Sequence, residues 1–408
     1  MFSWQVWLSD LRTGLLTCLL TSALVWLGIA FGADFVRPSG DRPNAPRSNL
    51  LTACCHFDGP EYGAIAEKGY FYDPHKRSRV AYFPAYPLAT RLVVELTGWE
   101  IRLALLVASN LLLLGAFVVF SVYLRSRFPQ DTSRLRLLML GVFGLWPAGF
   151  FFRMTYSEST FLFFTLLVLC GMARRWSLPI LALFCGAATA ARPVGLAVTA
   201  ALAWHILSDA NRGPIVRRLL VAGLCSIAAS WGLMAYMAYQ YYRFDTPLAF
   251  AQTQEHWSFV VPSQNSLGDK AESLLAAEPI WGVYTSDPIR SWKRRDACDN
   301  PFFNLFFWNP IMFVAALVLV LFGAAKSWLS GPEIVLSLGL LGIPYATRAY
   351  EMSMASHARF AAVVVPAYIV LGRILDAGSE WLRWCVLGFL STMLLTWSAL
   401  FAAGYSFF

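Results

Sequence analysis

Nine long apolar runs most constrain what this chain can fold into. A helix that crosses the hydrocarbon core of a bilayer needs about 20 apolar residues. The composition agrees, because 58% of the 408 residues are hydrophobic and only 14% are charged, against roughly a quarter charged in a soluble domain. The sequence therefore predicts an all-α polytopic membrane protein. The runs lie near residues 14–33, 101–124, 136–152, 156–173, 215–242, 303–325, 333–349, 358–375 and 382–404.

A tenth apolar stretch, from Ser177 to Leu207, is interrupted by Arg192 and Pro193. Proline disfavours a helical conformation in the residue before it and breaks the helical hydrogen-bond ladder. The stretch therefore predicts two short helices that meet at this break.

Arginine-rich short loops indicate how the chain is oriented in the membrane. Such loops stay on the cytoplasmic side. Three such loops lie near residues 125–136, 174–175 and 212–218. They lie on the same side of the membrane only if the interrupted stretch enters and leaves the membrane on that side, as a hairpin. This arrangement predicts about 11 spans, with the N-terminus inside and the C-terminus outside. The two long loops, 34–98 and 243–302, then face outward.

The net charge of +8 does not indicate a nucleic-acid partner. Arginine and lysine collect in loops, where topology and anionic lipid head groups explain them, so membrane lipids are the expected partners. No phosphate-binding loop, paired-histidine metal motif or dinucleotide fingerprint occurs, so we expect no nucleotide cofactor. A divalent metal stays open, as does a disulfide between Cys298 and either Cys54 or Cys55.

Asp58 lies in the first outer loop, in the segment that runs from His56 to Tyr70 as HFDGPEYGAIAEKGY. Asp58 followed three residues later by Glu61 is typical of a capping box, and the segment then continues as a short amphipathic helix along the membrane surface. A carboxylate at this place can also act as a general base. A second interfacial helix is predicted to begin at the FPAYP segment, residues 83–87, and to line a lipid entry path.

Ionisable residues at membrane depth usually face a polar cavity, and three places qualify. The first is the segment that carries Tyr156 and Glu158, where an Arg153–Glu158 pair is the structural alternative. The second is Arg192, which could snorkel towards head groups or contact a phosphate. The third is the pair His357 and Arg359, which could anchor to head groups or hold a phosphate. In the second outer loop, Gln254, His256 and Trp257 could bind and stack on a sugar ring.

The pattern F/W-D-G-x-x-Y-x-x-I-A-x-x-G-Y, followed by F-P-x-Y-P, resembles the PIG-V family of mannosyltransferases within the GT-C glycosyltransferases. The later motifs Y-S-E-S, A-R-P, P-L-A-F and H-x-R-F follow in the same order. Two positions depart from the family pattern, because Phe57 replaces a tryptophan and Glu61 replaces an aromatic residue. The resemblance implies one GT-C domain over residues 1–408, and a bacterial relative is expected.

The resemblance also implies an activity. Such an enzyme moves a sugar, here most readily mannose, with inversion from a polyprenyl- or dolichyl-phosphate donor to a lipid-linked or glycan acceptor on the extracytoplasmic face. Asp58 would be the base, and Glu158 could orient it, bind the acceptor or help to hold a metal. The rival interpretations are a GT-C enzyme with another sugar, a lipid-linked sugar transporter or flippase, and a non-catalytic assembly subunit. The donor phosphate would be bound by Arg192, His357 and Arg359, and the sugar or acceptor by Tyr62, Tyr156, Glu158, Gln254, His256 and Trp257.

Overall fold

The computed structural model describes residues 4–38, 49–258, 260, 266–285 and 305–405. Within these ranges the chain forms 20 α-helices, joined in places by short 3-10 turns. The four longest are α1 (Trp4–Phe35), α5 (Ile101–Arg127), α15 (Leu305–Ala325) and α20 (Glu380–Ala402). The others are α2 (Leu50–Ala53), α3 (Gly59–Lys68), α4 (Ala85–Thr97), α6 (Ser133–Leu145), α7 (Glu158–Ala173), α8 (Leu178–Ala191), α9 (Leu196–Ser208), α10 (Ile215–Ala229), α11 (Trp231–Phe244), α12 (Ala249–Gln252), α13 (Leu267–Leu275), α14 (Glu278–Trp281), α16 (Gly331–Pro344), α17 (Tyr350–Met352), α18 (His357–Ala361) and α19 (Val365–Ala377).

The long apolar helices confirm an all-α polytopic membrane protein. Among the described residues, four helices are long and apolar enough to cross a bilayer: α1, α5, α15 and α20. Two bent pairs raise this number to six if each pair is one span: α6 with residues 147–153, bent by 77°, and α10 with α11, bent by 49°.

The predicted total of about 11 spans depends on shorter helices. Helix α7 has 16 residues and is therefore about 24 Å long at about 1.5 Å per residue. The hydrocarbon core is about 30 Å thick. Helices α8 and α9 are shorter still, so the higher count stays a prediction.

The break expected at Arg192 and Pro193 is confirmed. Helix α8 ends at Ala191, Arg192 has an extended backbone, and a 3-10 turn over Pro193–Gly195 leads directly into α9. The two helices predicted in the first long loop, residues 34–98, also form, as α3 and α4. Their place at a membrane surface stays a prediction. Helix α4 exposes Leu88, Leu92 and Leu96, which lie four residues apart on one face and suit a membrane surface.

Close packing of α1 against α20 brings the segment that follows α1 to the end of α20. A Cβ atom on Gly32 would lie 2.1 Å from the carbonyl oxygen of Ala399, so only glycine permits this approach. Beyond the contact, the Phe401 ring packs 5.7 Å from Phe57 and 5.9 Å from His56. His56 Nε2 also lies 3.2 Å from the carbonyl oxygen of Ala402. These contacts fix the chain just before Asp58.

Candidate active site

Asp58 precedes the first residue of α3, but its side chain makes no capping hydrogen bond. The predicted capping box is therefore wrong. Glu61 instead forms an ion pair with Arg79, with Oε2 2.9 Å from Nε. The Asp58 carboxylate points the other way: Oδ2 accepts a hydrogen bond from Arg359 Nη1 at 2.7 Å, and Oδ1 accepts one from the Tyr82 hydroxyl at 3.2 Å.

The local sequence explains how Asp58 reaches this position. Phe57 adopts a left-handed backbone conformation, with φ of 59°, which turns the chain sharply and is rare for a bulky residue. A Cβ atom on Gly59 would lie 2.3 Å from Thr155 Oγ1. Glycine at this position lets the start of α3 lie directly against the segment that precedes Glu158.

Glu158 is the first residue of α7 and is fully buried. Its Oε1 accepts hydrogen bonds from Arg192 Nη1 at 2.6 Å and from Arg359 Nε. The alternative pair of Arg153 with Glu158 is wrong. Arg153 is buried elsewhere, where its guanidinium donates to Thr21 Oγ1 at 2.7 Å and to Ser22 Oγ at 3.0 Å.

Asp58, Glu158, Arg192 and Arg359 form a charged quartet, with two negative and two positive groups. The side chains of Glu158, Arg359 and Arg192 are 0%, 8% and 11% exposed, whereas that of Asp58 is 22% exposed. Buried charges are usually paired in this way, because desolvation of an unpaired charge is very unfavourable. Asp58 is therefore the member of the quartet that is best placed to meet a molecule from outside.

Aromatic rings surround the two arginines. The Arg359 guanidinium lies 4.5 Å from the centroid of Tyr156 and 5.3 Å from that of Phe151, and Arg192 lies 5.4 Å from that of Phe360. Such cation–π contacts stabilise a desolvated guanidinium. The predicted residue Tyr156 is thus part of the site.

Tyr62 also lies at the site, in the buried face of α3. Its hydroxyl donates a hydrogen bond to Ser157 Oγ at 2.9 Å. Burial, together with the negative charge of Glu158, raises the pKa of the Tyr62 phenol well above its usual range. Tyr62 therefore stays protonated and acts as a donor beside the quartet.

His357 lies two residues before Arg359, but its ring packs among apolar groups. The ring centroid is 5.8 Å from that of Phe313 and 5.5 Å from that of Phe360, and Nδ1 lies 3.2 Å from the carbonyl oxygen of Ala355. Burial lowers the pKa of the imidazole to about 4. The ring is therefore neutral near pH 7, and a phosphate contact by His357 stays a prediction.

The turn before His357 is strained. Ser353, Met354 and Ser356 all have positive φ values, of 47°, 63° and 67°. Non-glycine residues seldom adopt this conformation, and such strain is concentrated at functional sites. The turn ends one residue before α18, which carries Arg359 into the quartet.

His256 and Trp257 contact the segment between α1 and α5, and Gln254 contacts Arg348; the hydrogen bonds and ring contacts described for these three residues do not involve the quartet. His256 Nε2 lies 3.0 Å from the carbonyl oxygen of Pro74, and the Arg77 guanidinium lies 5.4 Å from the centroid of Trp257. The carbonyl oxygen of Gln254 accepts a hydrogen bond from Arg348 Nη1 at 3.3 Å. Their predicted role in sugar binding stays a prediction.

Sequence reasoning missed Tyr82 as a functional candidate. Tyr82 directly precedes the FPAYP segment, which was interpreted as the start of an interfacial helix. A polar aromatic residue beside a recognisable motif was the available signal. Its contact with Asp58, 24 positions earlier, depends on how the loop folds back.

Two further expectations concern cysteines and metals. Cys54 and Cys55 are both buried free thiols, while Cys298 lies outside the described residues. Across the described ranges, no group of three or more His, Cys, Asp or Glu side chains is arranged to hold a metal ion.

No model of a known protein family matches this chain, and no curated protein is significantly similar to it. Among solved structures, the chain is similar to the Archaeoglobus fulgidus oligosaccharyltransferase tethered to an acceptor peptide that contains an NVT sequon. The alignment covers 97% of this chain and 55% of that chain at 10% identity, with a TM-score of 0.46. The chain thus spans about half the length of that enzyme. A likeness at this level carries no inference about activity.

Proposed function

We propose that the protein is an inverting glycosyltransferase of the GT-C type, formed by a single integral-membrane domain. It would transfer a sugar, most readily mannose, from a polyprenyl- or dolichyl-phosphate donor to a lipid-linked or glycan acceptor on the extracytoplasmic side. One observation carries the proposal: Asp58 and Arg359, 301 positions apart in the chain, meet at 2.7 Å. Both residues belong to motifs that resemble the PIG-V family.

The quartet has the groups that an inverting transfer needs. The acceptor hydroxyl attacks the anomeric carbon, and Asp58 takes up its proton as the new glycosidic bond forms. The bond from the anomeric carbon to the phosphate oxygen breaks, and the lipid phosphate leaves with the electron pair. Guanidinium groups remain charged and offer several donors to phosphate oxygens. Arg192 and Arg359 would hold the negative charge that develops there.

The position of the quartet along the helices supports a lipid-linked donor. Glu158 is the first residue of α7, and Arg192 directly follows the last residue of α8. Both helices are apolar, so the charges lie where apolar segments end. A polyprenyl phosphate would have its chain in the bilayer and its phosphate at that level. Because Glu158 binds both arginines, it would also set the distance between them.

The test is transfer of radiolabelled mannose from polyprenyl-phosphate mannose in membranes that contain the protein. We expect Asp58→Asn to lower the rate by about 100- to 10,000-fold, as is typical for the loss of a general base. Asp245→Asn is the matched control. Asp245 is exposed and has a left-handed backbone that asparagine tolerates, so this variant should transfer at the wild-type rate.

Three outcomes distinguish the parts of the proposal. Equal transfer by wild type and Asp58→Asn would remove Asp58 from the mechanism. If the wild-type protein transferred sugar from polyprenyl-phosphate glucose or arabinose but not from the mannose donor, the glycosyltransferase proposal would stand and mannose as the donor sugar would be refuted. If the protein transferred sugar from none of the three donors but moved an intact donor across the membrane, the transferase proposal would be refuted and a transporter would be supported.

A further inference from the structure

Tyr82 lies between the 3-10 turn Arg79–Ala81 and α4, and its hydroxyl donates to Asp58 Oδ1 at 3.2 Å. Arg359 donates to the other carboxylate oxygen, Oδ2, at 2.7 Å. The two oxygens of Asp58 are thus each held by a different donor. Two donors on separate oxygens restrict rotation of a carboxylate about its last torsion, which is otherwise broad.

The backbone and the ring of Tyr82 are themselves held in place from several directions. The Tyr82 carbonyl oxygen accepts hydrogen bonds from the Tyr70 hydroxyl at 3.0 Å and the Tyr236 hydroxyl at 3.2 Å. Its ring packs edge-on against Tyr62, with centroids 5.1 Å apart. The ion pair of Arg79 with α3 ties the preceding turn to the helix that follows Asp58. Tyr82 and Asp58 are therefore joined by one connected set of contacts.

Resting on the proposed function, we infer that Tyr82 is a positioning residue. It orients the Asp58 carboxylate towards the acceptor hydroxyl through its hydrogen bond to Oδ1, and it contacts neither the sugar nor the acceptor. A general base must lie within hydrogen-bond reach of the proton that it takes. Catalytic groups need to be held within about 10–20° of their productive orientation by supporting hydrogen bonds. The contact of 3.2 Å is longer than a typical hydroxyl hydrogen bond, so the expected effect is moderate.

The test compares Tyr82→Phe with Tyr345→Phe in the same mannose-transfer assay. We expect Tyr82→Phe to lower kcat about tenfold, equivalent to about 1.4 kcal/mol, with KM for the donor within about twofold of wild type. Tyr345 is the matched control, because its ring also packs against an aromatic ring, that of Phe313 at 5.6 Å, and its hydroxyl donates to the Leu274 carbonyl oxygen at 2.9 Å rather than to Asp58. Tyr345→Phe should keep kcat, even if it lowers the melting temperature.

The outcomes separate this inference from the proposed function. A kcat of Tyr82→Phe within twofold of wild type, while Asp58→Asn is inactive, would overturn the role of Tyr82 alone. Equal losses of kcat in Tyr82→Phe and Tyr345→Phe would reduce Tyr82 to a packing residue. Full activity of Asp58→Asn would instead overturn the proposed function.

A second measurement does not need turnover. Thermal unfolding of wild type, Tyr82→Phe, Asp58→Ala and the double variant forms a double-mutant cycle. We expect Tyr82→Phe to lower the melting temperature in the wild-type background and to have no further effect once Asp58 is alanine. Equal shifts in both backgrounds would refute the contact itself, whichever sugar the protein transfers.

Discussion

Glu158→Gln removes one negative charge from the charged quartet while keeping the size of the side chain. In the native protein Glu158 Oε1 binds Arg192 and Arg359 together. Arg359 retains Asp58 as a partner in the variant, at 2.7 Å. Arg192, with a side chain 11% exposed, loses the carboxylate with which it pairs and stays largely buried. The quartet then carries a net charge of about +1, from two arginines and one aspartate.

The magnitude follows from that burial. Removing one partner of a buried ion pair destabilises a protein by about 3–5 kcal/mol, and the lower end applies here because only one arginine loses its carboxylate. The unfolding entropy is about 2.1 cal/mol/K per residue, or about 0.9 kcal/mol/K for 408 residues. A loss of about 3 kcal/mol therefore lowers the melting temperature by about 3 °C.

The control is Glu61→Gln, which breaks another Glu–Arg pair. The Glu61 and Arg79 side chains are 42% and 33% exposed, and exposed pairs contribute only about 0–1 kcal/mol. Its expected shift is about 1 °C or less. Both variants are compared with wild type in one lipid or detergent preparation by intrinsic fluorescence during heating. Equal shifts for the two variants, or none for Glu158→Gln, would refute the reasoning from burial.

Two further predictions concern the surroundings of the quartet. Burial lowers the pKa of His357 in the folded protein to about 4, against about 6.5 in the unfolded chain. As pH falls from about 6.5 towards 4, the unfolded chain therefore binds a proton at His357 that the folded protein does not, and the free energy of unfolding decreases. His357→Phe should flatten this decline, which amounts to about 2 kcal/mol between pH 7 and pH 4.5, in melting curves at those two pH values; parallel declines would contradict it. Arg77→Ala removes the contact with Trp257, worth about 0.5–1 kcal/mol at an exposed site. Limited proteolysis between residues 249 and 258 should become about two- to fivefold faster, and an unchanged cleavage rate would contradict a stabilising contact.

Much of the local structure could be predicted from the sequence, because it depends on neighbouring residues. Apolar runs of sufficient length became α1, α5 and α20. The Arg192–Pro193 break appeared where proline removes a helical hydrogen bond. The position of Asp58 at the start of α3 was also predictable, although the capping bond expected there does not form.

The partners of the charged residues were decided only by the tertiary structure. Glu158 was close to Arg153 in sequence, yet it pairs with Arg192, 34 positions later, and with Arg359, 201 positions later. Arg153 satisfies its donors on α1 instead. A local pattern specifies which residues are charged and which helix end they occupy. It does not specify which charges meet, because a buried charge takes whichever partner the helix packing brings within reach.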